Sequence, residues 1–292
     1  MTPLVGCLVV DKPAGMTSHD VVAVARRRLG ERRIGHAGTL DPDATGVLVL
    51  GVGPATRLLR YATGLTKVYV GEIVLGVTTS TLDAAGEVTG RFAMDVGLDD
   101  ARAAATRLTG RIEQVPPMVS AVQVGGRRLH ELAREGIEVP RAPRLVEVLR
   151  FDLDQAGEPG VLRALVECSS GTYVRSLAAD LGTALGGGAH LRNLRRLAVG
   201  TLVVEEGVPL DGIDATSLRP AAHLVAHLSP LTLGEEEAVG ARHGRVLDRR
   251  AVGAVGDGPW RVADGDGTLL AVYEARDLDR LKPAVVLAAS LP

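Results

Sequence analysis

Val161-Leu162-Arg163-Ala164-Leu165-Val166-Glu167-Cys168-Ser169-Ser170-Gly171-Thr172-Tyr173-Val174-Arg175-Ser176-Leu177-Ala178-Ala179-Asp180-Leu181-Gly182-Thr183-Ala184-Leu185-Gly186-Gly187-Gly188 holds a strand, a turn, a helix and a stop in one run. The apolar run Val161–Cys168 predicts a strand that ends at the Ser-Ser-Gly-Thr turn. Beyond it Val174, Leu177, Ala178, Leu181 and Leu185 recur at helical spacing, and the glycines end the helix. Tyr173 and Arg175 therefore fall in its first turn. A triple glycine can cradle a phosphate when it opens a helix, but this one closes a helix and reads as a C-cap.

Working outward, Cys7–Val10, Val47–Leu50, Lys67–Leu75 and Leu145–Leu153 read as further strands. Helices are predicted from an N-cap at Ser18 through Leu29, over Asp99–Leu108 and over Arg128–Glu135. In Lys67–Leu75 the alternation puts Val68 and Val70 inward and Tyr69 on the opposite face. Residues 33–46 show neither period and read as a long loop. Strands and helices mix without strict alternation, so the fold class is α+β with a largely antiparallel sheet. From about residue 229 the texture changes to short apolar runs between Gly/Asp groups such as Ala263-Asp264-Gly265-Asp266-Gly267. That divides the chain into a large domain, 1–228, and a small β-rich one, 229–292.

Composition bounds the function. An apolar fraction of 46% with 23% charged residues is that of a folded globular protein, and only the 2% aromatic content is unusual. Each aromatic residue outside the core is therefore a candidate binding group, Tyr69 and Tyr173 above all. Cys7 and Cys168 sit in apolar runs and read as small buried hydrophobes, not a disulfide or zinc set. No window approaches the roughly 20 apolar residues of a membrane span, nor is there a leader, so the cytoplasm is the expected location. A formal charge of −2 means that any nucleic-acid site must come from local clusters such as Arg26-Arg27-Arg28, Arg32-Arg33 and Arg192, Arg195 and Arg196.

The loop Gly35-His36-Ala37-Gly38-Thr39-Leu40-Asp41-Pro42-Asp43-Ala44-Thr45-Gly46 can present a carboxylate, Asp41, while its glycines let backbone N–H groups approach a ligand. Taken alone, Asp-Pro is an ordinary turn. Asp41-Pro42-Asp43-Ala44-Thr45 also fits the pattern of aspartyl-phosphate enzymes, but there the nucleophile ends an apolar strand, whereas here the apolar run follows. His19, Asp20, His36, Asp41 and Asp43 lack the His spacing of a helical metal site, so no metal is expected.

Asp11-Lys12-Pro13-Ala14-Gly15-Met16-Thr17-Ser18, the Asp41 loop, Lys67-Val68-Tyr69, Gln114-Val115-Pro116-Pro117, Gly171-Thr172-Tyr173-Val174-Arg175 and Gly188-Ala189-His190-Leu191 with Leu194–Val199 stand in one order along residues 5–200. In that order they resemble the TruB family. The resemblance implies a pseudouridine-synthase catalytic domain that isomerises uridine at position 55 in the T loop of tRNA, without a cofactor, after flipping the base out. It also implies a PUA-like RNA-binding module in the C-terminal domain. Asp41 matches the catalytic aspartate, Arg175 the arginine that pairs with it and Tyr69 the tyrosine that stacks on the target ring. His36 matches the histidine that fills the space the base vacates, and Tyr173 and Leu194 match pocket residues. Lys12, Asp83, Arg195 and Arg196 are expected among the substrate-binding residues. The expected partner is the tRNA T stem-loop, bound by a monomer. A different class, a tRNA-binding or folding factor on the same scaffold without turnover, is the competing reading.

The chain departs from the family pattern at four places. Ser80 stands where an aspartate is usual, Val119 where an aromatic residue is usual, Gln123 where Lys is common and His130 where Tyr is common. The first removes a carboxylate near Asp83 and leaves open what Asp83 does.

Overall fold

The computed structural model describes residues 4–120 and 123–287. In chain order the elements are β1 (Gly6–Lys12), α1 (Ser18–Leu29), β2 (Ile34–His36), β3 (Thr45–Val52), α2 (Leu59–Thr63), β4 (Lys67–Leu75), β5 (Val77–Thr79), β6 (Val88–Arg91), α3 (Leu98–Arg107), β7 (Gly110–Gln114), β8 (Gln123–Val124), β9 (Arg127–Arg128), α4 (Leu129–Arg134), β10 (Arg144–Gln155), β11 (Val161–Cys168), α5 (Val174–Ala184), β12 (Ala189–Val199), β13 (Leu202–Val203), β14 (Ser229–Thr232), α6 (Glu235–Arg242), β15 (Leu247–Asp248), β16 (Trp260–Ala263), β17 (Leu269–Ala275) and β18 (Arg280–Val286). The side chain of His130 lies outside the described residues. The chain forms two compact units, one from the described residues of Met1–Pro42, Gly46–Gly64 and Gly200–Pro292, the other from Asp43–Thr45 and Leu65–Val199.

In the first unit β1 runs antiparallel to β3, from Gly6 opposite Val52 to Lys12 opposite Gly46, and β2 pairs with the same strand. Helix α1 covers them, burying Val21, Val22 and Ala25 against Leu8, Val10, Leu48 and Leu50. Its N-cap is Thr17, one residue before the expected Ser18. The Asp20 N–H donates to Thr17 Oγ1 (3.1 Å) while Asp20 Oδ2 accepts from the Thr17 N–H (2.9 Å), a reciprocal capping box. Ser18 is displaced from the cap because its buried hydroxyl is engaged elsewhere, with Leu40. The expected loop 33–46 likewise contains a short strand, β2, on which His36 sits.

Residues 229–286 build a β-rich C-terminal domain with its own sheet, ordered β14-β16-β17-β18-β15, antiparallel except where β14 runs parallel to β16. Trp260, Val262, Tyr273 and Leu281 fill its core together with Ala238 and Ala241 of α6. The Gly/Asp groups fall in its turns.

In the second unit β12, β4, β11, β10 and β7 follow one another, each antiparallel to its neighbour. Helix α3 is tied to β10 by Arg102, whose Nε donates to the Leu153 carbonyl at 2.9 Å. On β4 the expected facing is reversed: Tyr69 is buried, while Val68 and Val70 are half-buried. Beyond the end of α5 the chain turns back on itself: the Gly187 N–H donates to the Gly182 carbonyl (3.0 Å), and Gly186 adopts φ +82°. A Cβ on Gly182 would stand 2.4 Å from Ala189 N and 2.5 Å from Gly188 C, both backbone atoms that cannot swing aside. Gly182→Ala is therefore expected to cost about 1–3 kcal/mol, the range for overpacking. Urea denaturation checks it, and an unchanged midpoint contradicts it.

Candidate functional site

The Asp41 loop is anchored on both sides of the carboxylate. The Ser18 hydroxyl donates to the Leu40 carbonyl (3.2 Å) and accepts from the Leu40 N–H (2.9 Å). The Pro42 carbonyl accepts from the Gly15 N–H (3.0 Å) and from Lys12 Nζ (2.8 Å). Ala37 and Leu40 are buried, whereas Asp41 is only half-buried. The loop thus holds Leu40 and Pro42 in place on either side of Asp41. Lys12, expected to touch RNA, is instead 0% exposed, and its ammonium also donates to the Pro13 (2.9 Å) and Met16 (2.5 Å) carbonyls. A buried ammonium directed at backbone carbonyls satisfies the desolvated charge and clamps the loop; it is a loop-positioning residue. His36 lies half-buried on β2, its ring perpendicular to that of exposed His19 with centroids 5.2 Å apart.

The second group of residues gathers in the other unit, around the first turn of α5. Arg175 is 3% exposed. Its Nη1 donates to the Thr81 carbonyl (2.9 Å), its Nη2 to the Val119 carbonyl (2.8 Å), and Asp83 Oδ2 lies 3.5 Å from Nη1. Burying a guanidinium costs several kcal/mol, which only an opposite charge and well-placed acceptors can offset. Asp83 is itself pinned. Leu82 takes φ +63°, the Leu191 N–H donates to the Leu82 carbonyl (3.0 Å), the Ala84 N–H donates to the Leu191 carbonyl (2.9 Å), and Asp83 Oδ1 accepts from the Ala85 N–H (3.1 Å). Asp83, expected among the substrate-binding residues, is in this structure a carboxylate that faces Arg175. Arg175 therefore keeps an acidic neighbour although Ser80 offers only a hydroxyl, which accepts from the Glu87 N–H.

Tyr69 is buried on β4, opposite Arg196 in the β12 register. Gly71 follows two residues on, hence on the same face. A Cβ there would lie 3.5 Å from Leu194 Cδ1 and 3.2 Å from Leu191 Cδ1. Leu194 and Tyr69 thus share one face of the strand. Tyr173 is the half-buried N-cap residue of α5.

The basic cluster on β12 divides by environment. Arg196, expected as a phosphate contact, is 1% exposed and so cannot present its charge to a phosphate in this structure. Arg192 is held between Glu72 (2.7 Å) and Glu158 (2.5 Å), which neutralise it. Arg195 is half-buried, with Nη1 3.3 Å from the Thr45 hydroxyl. Lys67 is buried on the face that carries Tyr69. Its pKa falls to about 8 because burial penalises the ammonium and the charge of Arg196 repels it.

The family model described as the TruB family pseudouridylate synthase N-terminal domain matches residues 26–174, and that of the tRNA pseudouridylate synthase B C-terminal domain matches residues 175–234. The chain belongs to the TruB family. It is similar to the tRNA pseudouridine synthase B of Mycobacterium sp. (strain KMS), with 44% identity over 97% of this chain and 96% of that protein. It resembles the tRNA pseudouridine synthase B of Arthrobacter sp. (strain FB24) at 43% identity over 98% of each. A chain in the crystal structure of a Cbf5-Nop10-Gar1 complex superposes with a TM-score of 0.75 at 26% identity, covering 96% of this chain and 83% of that one. These likenesses bear out the family and the α+β fold expected from the ordered motifs.

Ser18, expected to cap α1, holds Leu40 instead, a role that its place beside Thr17 does not signal.

Lys67 gives a pH test. Between about pH 8 and 10.5 the unfolded chain binds the Lys67 proton and the folded chain does not, so stability gains from this group as pH rises through that window. Below pH 8 the buried charge is a full cost. Lys67→Met is expected to flatten the rise in stability across that window, measured by urea denaturation at a series of pH values; an identical slope in the two proteins contradicts it.

Proposed function

We propose that this chain isomerises uridine to pseudouridine at position 55 in the T loop of tRNA, with Asp41 as the reacting carboxylate. The observation that supports it most is the anchored Asp41 loop, a half-buried aspartate between two backbone-clamped neighbours, in a chain of the TruB family. The near full-length relatives named tRNA pseudouridine synthase B favour tRNA as the substrate.

The chemistry needs little more. The bond from ribose C1′ to N1 breaks, the uracil turns, C1′ bonds to C5, the C5 proton leaves and N1 takes up a proton, so atoms and electrons balance without an added co-reactant. Attack by Asp41 on the base, attack on the sugar carbon and removal of a ribose proton all demand an ionised carboxylate. We assign Arg175 as its positive partner, since an opposite charge nearby favours the ionised form of a carboxyl group. Tyr69 stacks on the flipped ring with Leu194 and Tyr173 as further walls; stacking worth roughly 1–3 kcal/mol per base helps offset the few kcal/mol of unstacking. His36 enters the space the base leaves.

Arg195 and the exposed Arg27, Arg32 and Arg33 are proposed to meet phosphates, positioning the stem-loop without reading its sequence. The C-terminal domain, 229–292, adds RNA-binding surface to the catalytic domain, 1–228, and the protein works as a cytoplasmic monomer.

Unmodified tRNA transcript, purified protein and position-by-position mapping of pseudouridine test this directly. Product at position 55 is expected, and Asp41→Asn is expected to lower turnover at least about a thousandfold, roughly 4 kcal/mol of barrier, with tRNA affinity kept. Tight binding without product in the wild type would establish the folding-factor reading instead.

A further inference from the structure

We infer that Gln114 is a positioning residue for Arg175, through a clamp on the start of α5 that ties it to the segment Val115–Val119. This rests on the proposed role of Arg175. The N-cap residue of α5, Tyr173, makes no side-chain capping bond. Its backbone is held from outside the helix. The Tyr173 N–H donates to Gln114 Oε1 (2.7 Å), and Gln114 Nε2 donates to the Tyr173 carbonyl (3.1 Å). One carboxamide, 2% exposed at the end of β7, thus meets both polar groups of one residue.

The next residues of both segments continue the pairing. The Ser176 hydroxyl donates to the Val115 carbonyl (3.0 Å), and Arg175 Nη2 donates to the Val119 carbonyl (2.8 Å). Pro116 and Pro117 have no N–H of their own, and the Pro116 carbonyl accepts from Arg141 Nη1 (2.9 Å). Packing fixes only the middle of this segment, where Pro116 and Pro117 are buried. Val115 is 44% exposed, and Met118 and Val119 line a cavity of about 430 Å³ with Thr81 and Ile137. The residues whose carbonyls hold Arg175, Thr81 and Val119, are therefore cavity-wall residues. Hydrogen bonds set their spacing from the helix, and Gln114 supplies the pair at its root.

Only a side chain with a donor and an acceptor at this reach can do both jobs. Asn is one methylene short. An ionised Glu keeps the acceptor and loses the donor, which sets a carboxylate oxygen against the Tyr173 carbonyl. Protonation returns the donor.

The test compares wild type with Gln114→Ala, Gln114→Asn and Gln114→Glu for release of the C5 hydrogen from labelled T stem-loop RNA, with RNA affinity, melting temperature and amide exchange measured on the same samples. Gln114→Ala and Gln114→Asn are expected to lower kcat about tenfold to a hundredfold, the scale of small misplacements near chemistry, with KM changed by less than about twofold. Faster exchange of the Tyr173 amide is expected in both. Gln114→Glu is expected to lose activity at pH 8 and recover it toward pH 6, a recovery absent in wild type. A loss that appears in KM or RNA affinity alone, a Gln114→Glu profile matching wild type, or unchanged Tyr173 exchange overturns the inference whatever the turnover. A wild type that binds tRNA but releases no C5 hydrogen sinks the proposed function instead, while the exchange data still decide the clamp.

Discussion

A guanidinium taken out of water must be surrounded by acceptors or it unfolds what surrounds it, and Arg175 is in that position. Several of its neighbours come from separate parts of one unit: the Thr81 carbonyl and Asp83 from the turn after β5 and the Val119 carbonyl from the segment after β7, while its own helix follows the turn after β11. Each of those parts is committed in turn. The Asp83 turn needs a left-handed Leu82 and bridges to Leu191 on β12, and the helix start needs Gln114. Backbone carbonyls are suited to the task because they neutralise without adding a full negative charge that would compete for the cation. The Asp83 carboxylate at 3.5 Å, longer than a tight ion pair, adds an opposite charge beside the fork.

The same device recurs in the Asp41 unit, where Lys12 is buried against three carbonyls. It explains how a chain of formal charge −2 reconciles RNA chemistry with its sequence. Many cations are structural. Arg28 donates to the Ile213 and Asp211 carbonyls, Arg26 to Ile34, and Arg192 sits between two glutamates. Counting Lys and Arg therefore overstates the charge available to phosphates. The exposed Arg27, Arg32 and Arg33 at the end of α1 and beyond carry more of the proposed binding field than the β12 cluster does.

Periodicity made the long elements legible. The strand Val161–Cys168 appears with the predicted bounds, and the helix after it ends before the triple glycine as predicted, with Arg175 in its first turn and Tyr173 one place earlier, at the N-cap. The α1 cap shifted by one residue because Ser18 and Thr17 are both capable caps locally, and only a tertiary bond to Leu40 decides between them. Tyr69 faced the buried side because alternation fixes which residues share a face but not which face the sheet covers. Lys12 and Arg196 were legible as charges and illegible as buried ones. Asp83 could be aligned with the family pattern, yet its bond geometry to Arg175 depends on a positive φ at Leu82 that no sequence period encodes.

If a fixed Arg175 fork is what the site depends on, Asp83 must act through it. The most direct measurement is a double-mutant cycle in pseudouridine formation with Asp83→Asn, Arg175→Lys and the pair combined. Lysine keeps the charge and loses the fork, so the double variant is expected to be no slower than Arg175→Lys alone, the two changes failing to add. Losses that multiply independently, or an Asp83→Asn variant with wild-type turnover, would contradict it.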